Sequence, residues 1–349
     1  MANPAGLGVP AEPTPMPAGD RVYFVSSDAA RQLLRWDEVV DCIAKAYREQ
    51  RSDAATPART VARFGGSWLR TLPAIPPAGR YFGAKLMGGS FARASRPGVQ
   101  YVIVLFDHLT SRIAAFVDGE LVTAFRTAAT SAVALDALAT DEPIRLGVLG
   151  SGLEAGTHVR AFATVRPVRA ISVFSPTVAR RQAFAASIEK ELGVPVDAVD
   201  TAQAAVSGAT VVLAAARSRG EQPILHGDWL SPGTVVVSIG STVPEQREID
   251  VSVVARCDLI VCDIVDEVLC QTGDMIEATR AGISVAEKTI SLHAVLCGEA
   301  TQRVTGARLP LFKSVGSGLQ DIVLAEHLLN KAIEAESAAV LPIAFSFKS

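Results

Sequence analysis

The 349-residue sequence predicts an α/β protein on two observations. From Arg145 onward, short apolar runs alternate with segments of helical periodicity, the rhythm of parallel βαβ units. Before that point, strand-like runs are joined by hairpin-like turns, which predicts a mixed or antiparallel sheet.

The stretch that organises the second part is Leu146 to Gly156, LGVLGSGLEAG. Leu146–Leu149 reads as a buried strand, Gly150, Ser151 and Gly152 as a tight turn, and helical periodicity follows through His158 to Thr164. Strand, glycine turn and helix in that order suit a dinucleotide. Gly150 permits the turn, Gly152 lets the backbone approach a pyrophosphate, and Ala155 lets the new helix pack against its strand. The N–H groups of the helix start, around Leu153, then face the phosphates. Alone, G-x-G-x-x-A also occurs in ordinary loops; the flanking strand and helix point to a Rossmann domain.

Taken in order, Arg21–Ser26 reads as a strand and Asp28–Gln50 as one amphipathic helix, with Leu33, Leu34, Val39, Val40, Ile43, Ala44 and Tyr47 on one side. Arg59–Phe64, Trp68–Pro73 and Arg80–Met87 are strand-like, with Gly65-Gly66 as a hairpin turn. Val99–Phe106 and Arg112–Val117 follow, joined by Asp107–Thr110, and Leu121–Ala139 reads as a long helix. The later elements are strand Ala170–Phe174, helix Val178–Leu192, a short apolar turn, helix Thr201–Val206, and strands Val211–Ala215, Thr234–Ile239 and Leu259–Asp263. Helices then lead to a return segment, Leu309–Ser314, and a closing helix, Gly318–Glu336, expected to pack back on the first part. The expected division is a flexible tail at 1–20, a Rossmann domain at 140–308, and a discontinuous α+β substrate and dimerisation domain at 21–139 and 309–349.

Nearly half the residues are hydrophobic and the net charge is −3, which supports sizeable cores and gives no sign of a nucleic-acid or anionic-membrane partner. Five scattered cysteines lack zinc-site spacing and read as reduced thiols of a cytoplasmic protein. No apolar run is read as a membrane span, and the Pro/Ala/Gly-rich start has no signal-peptide pattern. His108, His158, His226, His293 and His327 show neither metal nor triad spacing and read as structural, so no metal is expected. Asp266, Glu267 and Glu277 read as solvated or helix-terminal.

Three cations stand in apolar settings. Arg59 follows Thr56-Pro57-Ala58, Lys85 sits in GAKLM, and Arg126 sits on a helix of small residues. An isolated buried charge is costly, so each is either ion-paired, snorkelling to the surface, or functional. Brought together, they would suit the carboxylate of an amino or imino acid. On the cofactor side, no acid follows Phe174, where an NAD-selective site holds the ribose 2′-hydroxyl. Ser175, Thr177 and Arg180 would suit a 2′-phosphate, which favours NADP over NAD; the alternative is that Arg180 and Arg181 are a solvated helix face. Small residues around Ala215 allow close approach of the cofactor ribose.

Five segments together resemble the ornithine cyclodeaminase and mu-crystallin family. They are Gly83-Ala84-Lys85, Phe125-Arg126-Thr127-Ala128-Ala129 after Asp118-Gly119-Glu120-Leu121, the glycine turn, Ile239-Gly240-Ser241-Thr242 with Pro244 and Arg247-Glu248, and Phe312-Lys313-Ser314-Val315-Gly316 with Gln320-Asp321. The resemblance implies a Rossmann domain, a substrate domain that dimerises through its sheet, and a homodimeric enzyme acting on a small amino or imino acid. It implies that Arg59, Lys85 and Arg126 hold the substrate carboxylate, with Lys85 also at the reacting centre. It implies that Ser238, Ile239 and Gly240, and Lys313, Ser314 and Gly316, border the nicotinamide.

Position 242 separates the branches. The family's cyclodeaminases carry Asp there, whereas this sequence has Thr242. A hydroxyl is no general base near neutral pH. The expected activity is therefore NAD(P)H-dependent imine reduction or its reverse, with Lys85, Arg126 and Thr242 as catalytic candidates. Thr242 could equally only line the site or cap a turn. Cyclodeamination of ornithine or lysine with tightly bound NAD is the second reading, and a non-catalytic NADP- and ligand-holding protein the third. The substrate walls are expected around Trp68, Met87–Ser90 and Tyr101.

Overall fold

Hairpins build the first sheet. The computed structural model describes residues 21–49, 52–90, 98–216 and 222–347, so the tail expected at 1–20 lies outside the described residues. Strand β1 (Val22–Val25) leads through helices α1 (Ser27–Leu33) and α2 (Trp36–Arg48) to β2 (Thr60–Phe64), β3 (Ser67–Ala74), β4 (Tyr81–Ser90), β5 (Val99–Asp107) and β6 (Ile113–Asp118). Strands β2 to β6 form an antiparallel meander. The β2–β3 turn is made by Gly65 and Gly66, both at positive φ, which glycine adopts without strain. At the β5–β6 turn, Asp107 accepts hydrogen bonds from the N–H groups of Leu109 and Thr110.

Where one helix was expected over Asp28–Gln50, two form. The chain becomes extended at Leu34 and Arg35, and Leu34 is buried there. Beyond the break Trp36 stacks on Phe125, with ring centroids 4.2 Å apart. No Gly or Pro marks that break.

Helix α3 (Gly119–Leu138) starts at Asp118, whose carboxylate caps the Glu120 N–H. By length and composition α3 could cross a bilayer, contrary to the expectation that no run qualifies. In the fold it is a core helix, packed against α2 and against elements of both sheets.

The second half follows the βαβ rhythm: β7 (Ile144–Leu149), α4 (Leu153–Val165), β8 (Val168–Phe174), α5 (Val178–Leu192), β9 (Val196–Ala198), α6 (Ala202–Val206), β10 (Val211–Ala214) and β11 (Val235–Ser238). Next come α7 (Val251–Arg256), β12 (Leu259–Cys262), α8 (Val265–Gln271), α9 (Gly273–Arg280), α10 (Val285–Lys288), β13 (Thr289–Ser291), α11 (Leu292–Leu296) and α12 (Thr301–Gly306). The chain ends with β14 (Pro310–Lys313), α13 (Gly318–Glu334) and β15 (Ala339–Leu341).

Two sheets result. The first, in order β15-β1-β6-β5-β4-β3-β2, is mixed. The second, β13-β12-β14-β11-β10-β7-β8-β9, is wholly parallel. Strand order reverses between β7 and β10, which opens a crevice at their C-terminal ends, where α/β sheets of this type hold dinucleotides. The short strands β9, β13 and β15 were not expected.

Leu309–Ser314 corrects the expected division. The segment was assigned to the first part, but β14 pairs with β11 and β12 in the parallel sheet. Its four residues are all buried, as a strand covered on both faces must be. Helix α13 then crosses back, packing on α2, α3 and the first sheet through Leu324, Leu328 and Leu329.

Candidate active site

The two sheets meet over a cavity of about 320 Å³, lined from one side by Arg59, Arg70, Lys85, Met87, Tyr101 and Arg126, and from the other by Glu154, Ala215, Ile239, Gly240, Thr242 and Gly316. The three cations expected to gather do gather, and each is set by a partner distant in sequence.

Lys85 is fully buried. Its Nζ donates to Asp321 Oδ1 at 2.8 Å and to Thr123 Oγ1 at 3.3 Å. Burial, with Arg126 and Arg59 nearby, pulls its pKa down to about 7 in spite of Asp321. Arg126 Nη1 donates to Gln320 Oε1 at 2.7 Å, and its Nε lies 3.0 Å from Asp321 Oδ1. Gln320 and Asp321 sit side by side on the first turn of α13, so one helix start orients two cations.

Arg59 is held by the other half of the chain. Glu267 on α8 accepts from its Nε and its backbone N–H, and Nη2 donates to the carbonyls of Val315 and Gly316. Glu267 was expected to be solvated or helix-terminal. It is buried, because it is the counter-charge of Arg59.

Gly316 was expected beside the nicotinamide. It lines the cavity and lies flat against the Arg126 guanidinium: a Cβ there would stand 2.3 Å from Arg126 Nη1, and its φ is +82°. Asp263, at the end of β12, fastens this loop. It accepts from Ser314 Oγ and the Val315 and Gly316 N–H groups.

Lys313 and Ser238, expected beside the nicotinamide, are not among the residues that line the cavity. Both are buried behind the cavity wall, where Lys313 Nζ bonds Ser238 Oγ at 2.8 Å and pairs with Asp274 at 2.9 Å. Next to them, Glu248 accepts from Ser238 Oγ, Gly240 N–H and Ala216 N–H, tying together the ends of β10 and β11. Burial lifts Glu248 to about 7.

Ile239, Gly240 and Ala215 do line the cavity, as does Thr242, whose hydroxyl donates to Gln246 Oε1 at 3.3 Å. Of the expected walls, Met87 and Tyr101 line it, whereas Trp68, Gly88, Gly89 and Ser90 do not.

The glycine turn lies at the mouth of a neighbouring hollow formed by Ser151, Gly152, Leu153, Gly156, Arg160 and Arg180. Gly150 has φ +126°, and a Cβ there would meet the Ala215 carbonyl at 2.6 Å. A Cβ on Gly152 would meet only open space, and no side chain caps the start of α4. Open room before a string of uncapped N–H groups fits a pyrophosphate. Ala155 is buried under the helix, and Ser151 Oγ bonds Ser175 Oγ at 2.8 Å. Thr177 and Arg180 are exposed after β8, whereas Arg181 is buried on Asp200 and the Ser175 carbonyl. So of the two arginines only Arg180 faces open space.

Glu154, on the first turn of α4, also lines the cavity, a role no sequence signal marked. Its side chain keeps 38 % of its surface, but the carboxyl oxygen Oε2 is enclosed without a hydrogen-bond partner. That desolvation lifts its pKa to about 7, against the pull of Arg126 and Lys85. His158, behind it, is a core residue held by Ser131 Oγ and the Glu154 carbonyl, and burial lowers its pKa to about 4. Among the described residues no group of three or more His, Cys, Asp or Glu could hold a metal.

The arrangement places three cations that would suit a carboxylate beside Ala215, Ile239 and Gly240 at the C-terminal ends of the parallel strands. Residues 23–336 match the model of the ornithine cyclodeaminase/mu-crystallin family. The chain is 26 % identical over 319 residues to a Δ1-pyrroline-2-carboxylate reductase of Bacillus cereus, covering 90 % of this chain and 97 % of that one. It is 32 % identical over 255 residues to the Paracoccus denitrificans protein of the same name, covering 71 % and 78 %. The Thermococcus litoralis Δ1-pyrroline-2-carboxylate reductase, solved with NADH and L-proline, superposes with a TM-score of 0.83 at 25 % identity, covering 91 % and 99 %.

Proposed function

The chain belongs to the ornithine cyclodeaminase/mu-crystallin family, and from that premise we propose that it is an NAD(P)H-dependent oxidoreductase reducing the C=N group of a small imino acid, or running the reverse on the amine. The observation that carries this reading is the cavity itself. Three oriented cations face a hydroxyl at Thr242, where a carboxylate would be needed to handle a leaving amine.

When bound, the dinucleotide supplies or takes the hydride. Gly150, Ser151, Gly152, Leu153 and Ala155 would hold its phosphates at the start of α4, with Ala215, Ile239 and Gly240 along the nicotinamide side. Arg126 and Arg59 hold the substrate carboxylate through guanidinium nitrogens that have no partner among the described residues, Nη2 of Arg126 and Nη1 of Arg59. Lys85, with a pKa of about 7, gives the imine nitrogen its proton and recovers one from solvent. Thr242, braced by Gln246, shapes the wall opposite. Fixed charge and position supply the acceleration.

The preferred cofactor is NADP, on the support of Arg180 lining the phosphate hollow, Thr177 exposed after β8, and no acid between Phe174 and Val178. The working form is a homodimer joined through the first sheet, where Phe82 stacks on Phe106 and Phe116 meets Phe345.

A panel of cyclic imino acids and of 2-oxo acids with ammonia or methylamine, followed by loss of NADPH or NADH absorbance, tests the activity. Loss with at least one imine is the expected result. Release of ammonia from ornithine or lysine with no net change in absorbance would replace this reading with cyclodeamination.

A further inference from the structure

One cation in the cavity has no counter-charge among the described residues. Arg70 lies on β3, on the same strand face as buried Leu72 and Ala74. Its cross-strand partner is Met87, whose partner on β5 is Tyr101, and all three line the cavity. The adjoining row on that face is Leu72, Lys85 and Ile103. Arg70 therefore stands one row, roughly 7 Å, along the sheet from Lys85.

Its guanidinium makes no hydrogen bond or ion pair among the described residues, and its Nε is enclosed. Its guanidinium carbon lies 5.8 Å from the Trp68 ring centroid, and that ring in turn packs on Gly89. The other cations differ. Glu267 answers Arg59, and Asp321 is shared by Lys85 and Arg126. Four cations thus share the cavity with two carboxylates bound to them. One substrate carboxylate satisfies the cluster around Lys85 and leaves Arg70 bare. Desolvation and the nearby Arg59 and Arg63 already press its pKa down to about 10, yet it stays charged at neutral pH. Nor does Arg70 face the phosphate hollow, which lies around Gly152 and Arg180.

Resting on the reductase reading above, we propose that Arg70 binds a second carboxylate, so that the substrate is a short 2-imino dicarboxylic acid and the product an acidic amino acid. The guanidinium would meet the distal carboxylate as a planar two-point partner, across the Met87 and Tyr101 wall. A neutral side chain of the same length would leave this cation desolvated and unpaired, and so would be rejected.

The test is kcat/KM for oxaloacetate and 2-oxoglutarate against 2-oxobutyrate and 2-oxopentanoate, each with ammonia. It is run on the full chain as wild type, Arg70→Met and Arg70→Lys. The diacids should be preferred by at least roughly 10-fold in the wild type. Arg70→Met should erase that preference by lowering diacid turnover alone, and Arg70→Lys should restore part of it. A wild type that favours the monoacids, or an Arg70→Met loss equal for both classes, overturns the proposal. Absence of turnover with every imine, cyclic ones included, would overturn the reductase reading instead. Titration of succinate against butyrate, calorimetrically and without turnover, then decides Arg70 separately: tighter succinate binding that Arg70→Met abolishes supports the second-carboxylate site, and equal binding refutes it.

Discussion

Asp321→Asn isolates the charge that organises the cavity. Asparagine keeps the shape of the side chain and removes only its charge, leaving Lys85 and Arg126 buried with their common partner neutralised. Breaking a buried pair from one side costs about 3–5 kcal/mol. Lys85 can relieve part of this by giving up its proton, and that makes the loss depend on pH. In the wild type Lys85 has a folded pKa of about 7, below its unfolded value, so the unfolded chain binds the extra proton between the two. This contribution lowers wild-type stability as pH falls toward 7 and is constant below it. Without Asp321, which raises that pKa, the folded value drops further, and stability keeps falling below pH 7 at about 1.4 kcal/mol per pH unit. Urea unfolding of both proteins across mildly acidic to mildly alkaline pH should therefore show a gap that is smallest above pH 7 and widens as pH falls below it. Imine turnover should fall in parallel, by roughly 10²–10³-fold, with cofactor affinity preserved. A gap that stays flat with pH, with turnover near wild type, would refute the view that Asp321 keeps Lys85 charged.

Three further outcomes follow from the same geometry. Arg126→Ala should lose turnover by roughly 10²-fold or more while NAD(P)H fluorescence titration still reports normal binding, because Arg126 lines the cavity beside Gln320–Asp321 and does not line the hollow at the glycine turn. Arg180→Ala should cut kcat/KM with NADPH by about 10-fold and leave NADH unchanged, the loss of one exposed charge-assisted contact to a 2′-phosphate. Glu248→Gln should weaken binding of both dinucleotides by about 10-fold, since an amide cannot accept all three bonds from Ser238, Gly240 and Ala216; calorimetry without substrate reads this directly.

What was legible in the sequence was local. The glycine turn announces itself because every residue with a special duty lies within a few positions, and the three cations stand out because each breaks an apolar neighbourhood. Their partners were not legible. Asp321 lies 236 residues from Lys85, and Glu267 lies 208 residues from Arg59. Nothing in DEVLC or GLQDI distinguishes a counter-charge from a solvated helix acid. Strand β14 was misassigned for a related reason. LPLF is the continuous apolar run of a strand buried on both faces, but such a run does not say which sheet it joins. Arg70 did carry a signal. It shares strand parity with Trp68, Leu72 and Ala74, so an alternation count across SWLRTLPA places a charge on the inward face. The count was needed because Leu69 and Arg63 nearby make the stretch look like an ordinary amphipathic edge.

The paired state of the cations bears on how the site works. Three bare cations in a closed cavity would repel one another and drive at least one to lose its proton or turn outward. Glu267 and Asp321 prevent that, and they do so from behind. Glu267 and the loop carbonyls occupy Nε and Nη2 of Arg59, while Asp321 and Gln320 occupy Nε and Nη1 of Arg126. On the proposed function, the remaining nitrogen of each guanidinium would be free for the substrate, so a carboxylate would meet two fixed donors in place of two mobile forks. Little reorganisation would remain for the moment of binding, and the C=N carbon would be delivered to one place above the crevice between β7 and β10. The same logic explains the return of the chain after the parallel sheet is complete. Strand β14 and the loop fastened by Asp263 bring α13 back across the first sheet, and the first turn of α13 supplies the two side chains that aim Lys85 and Arg126.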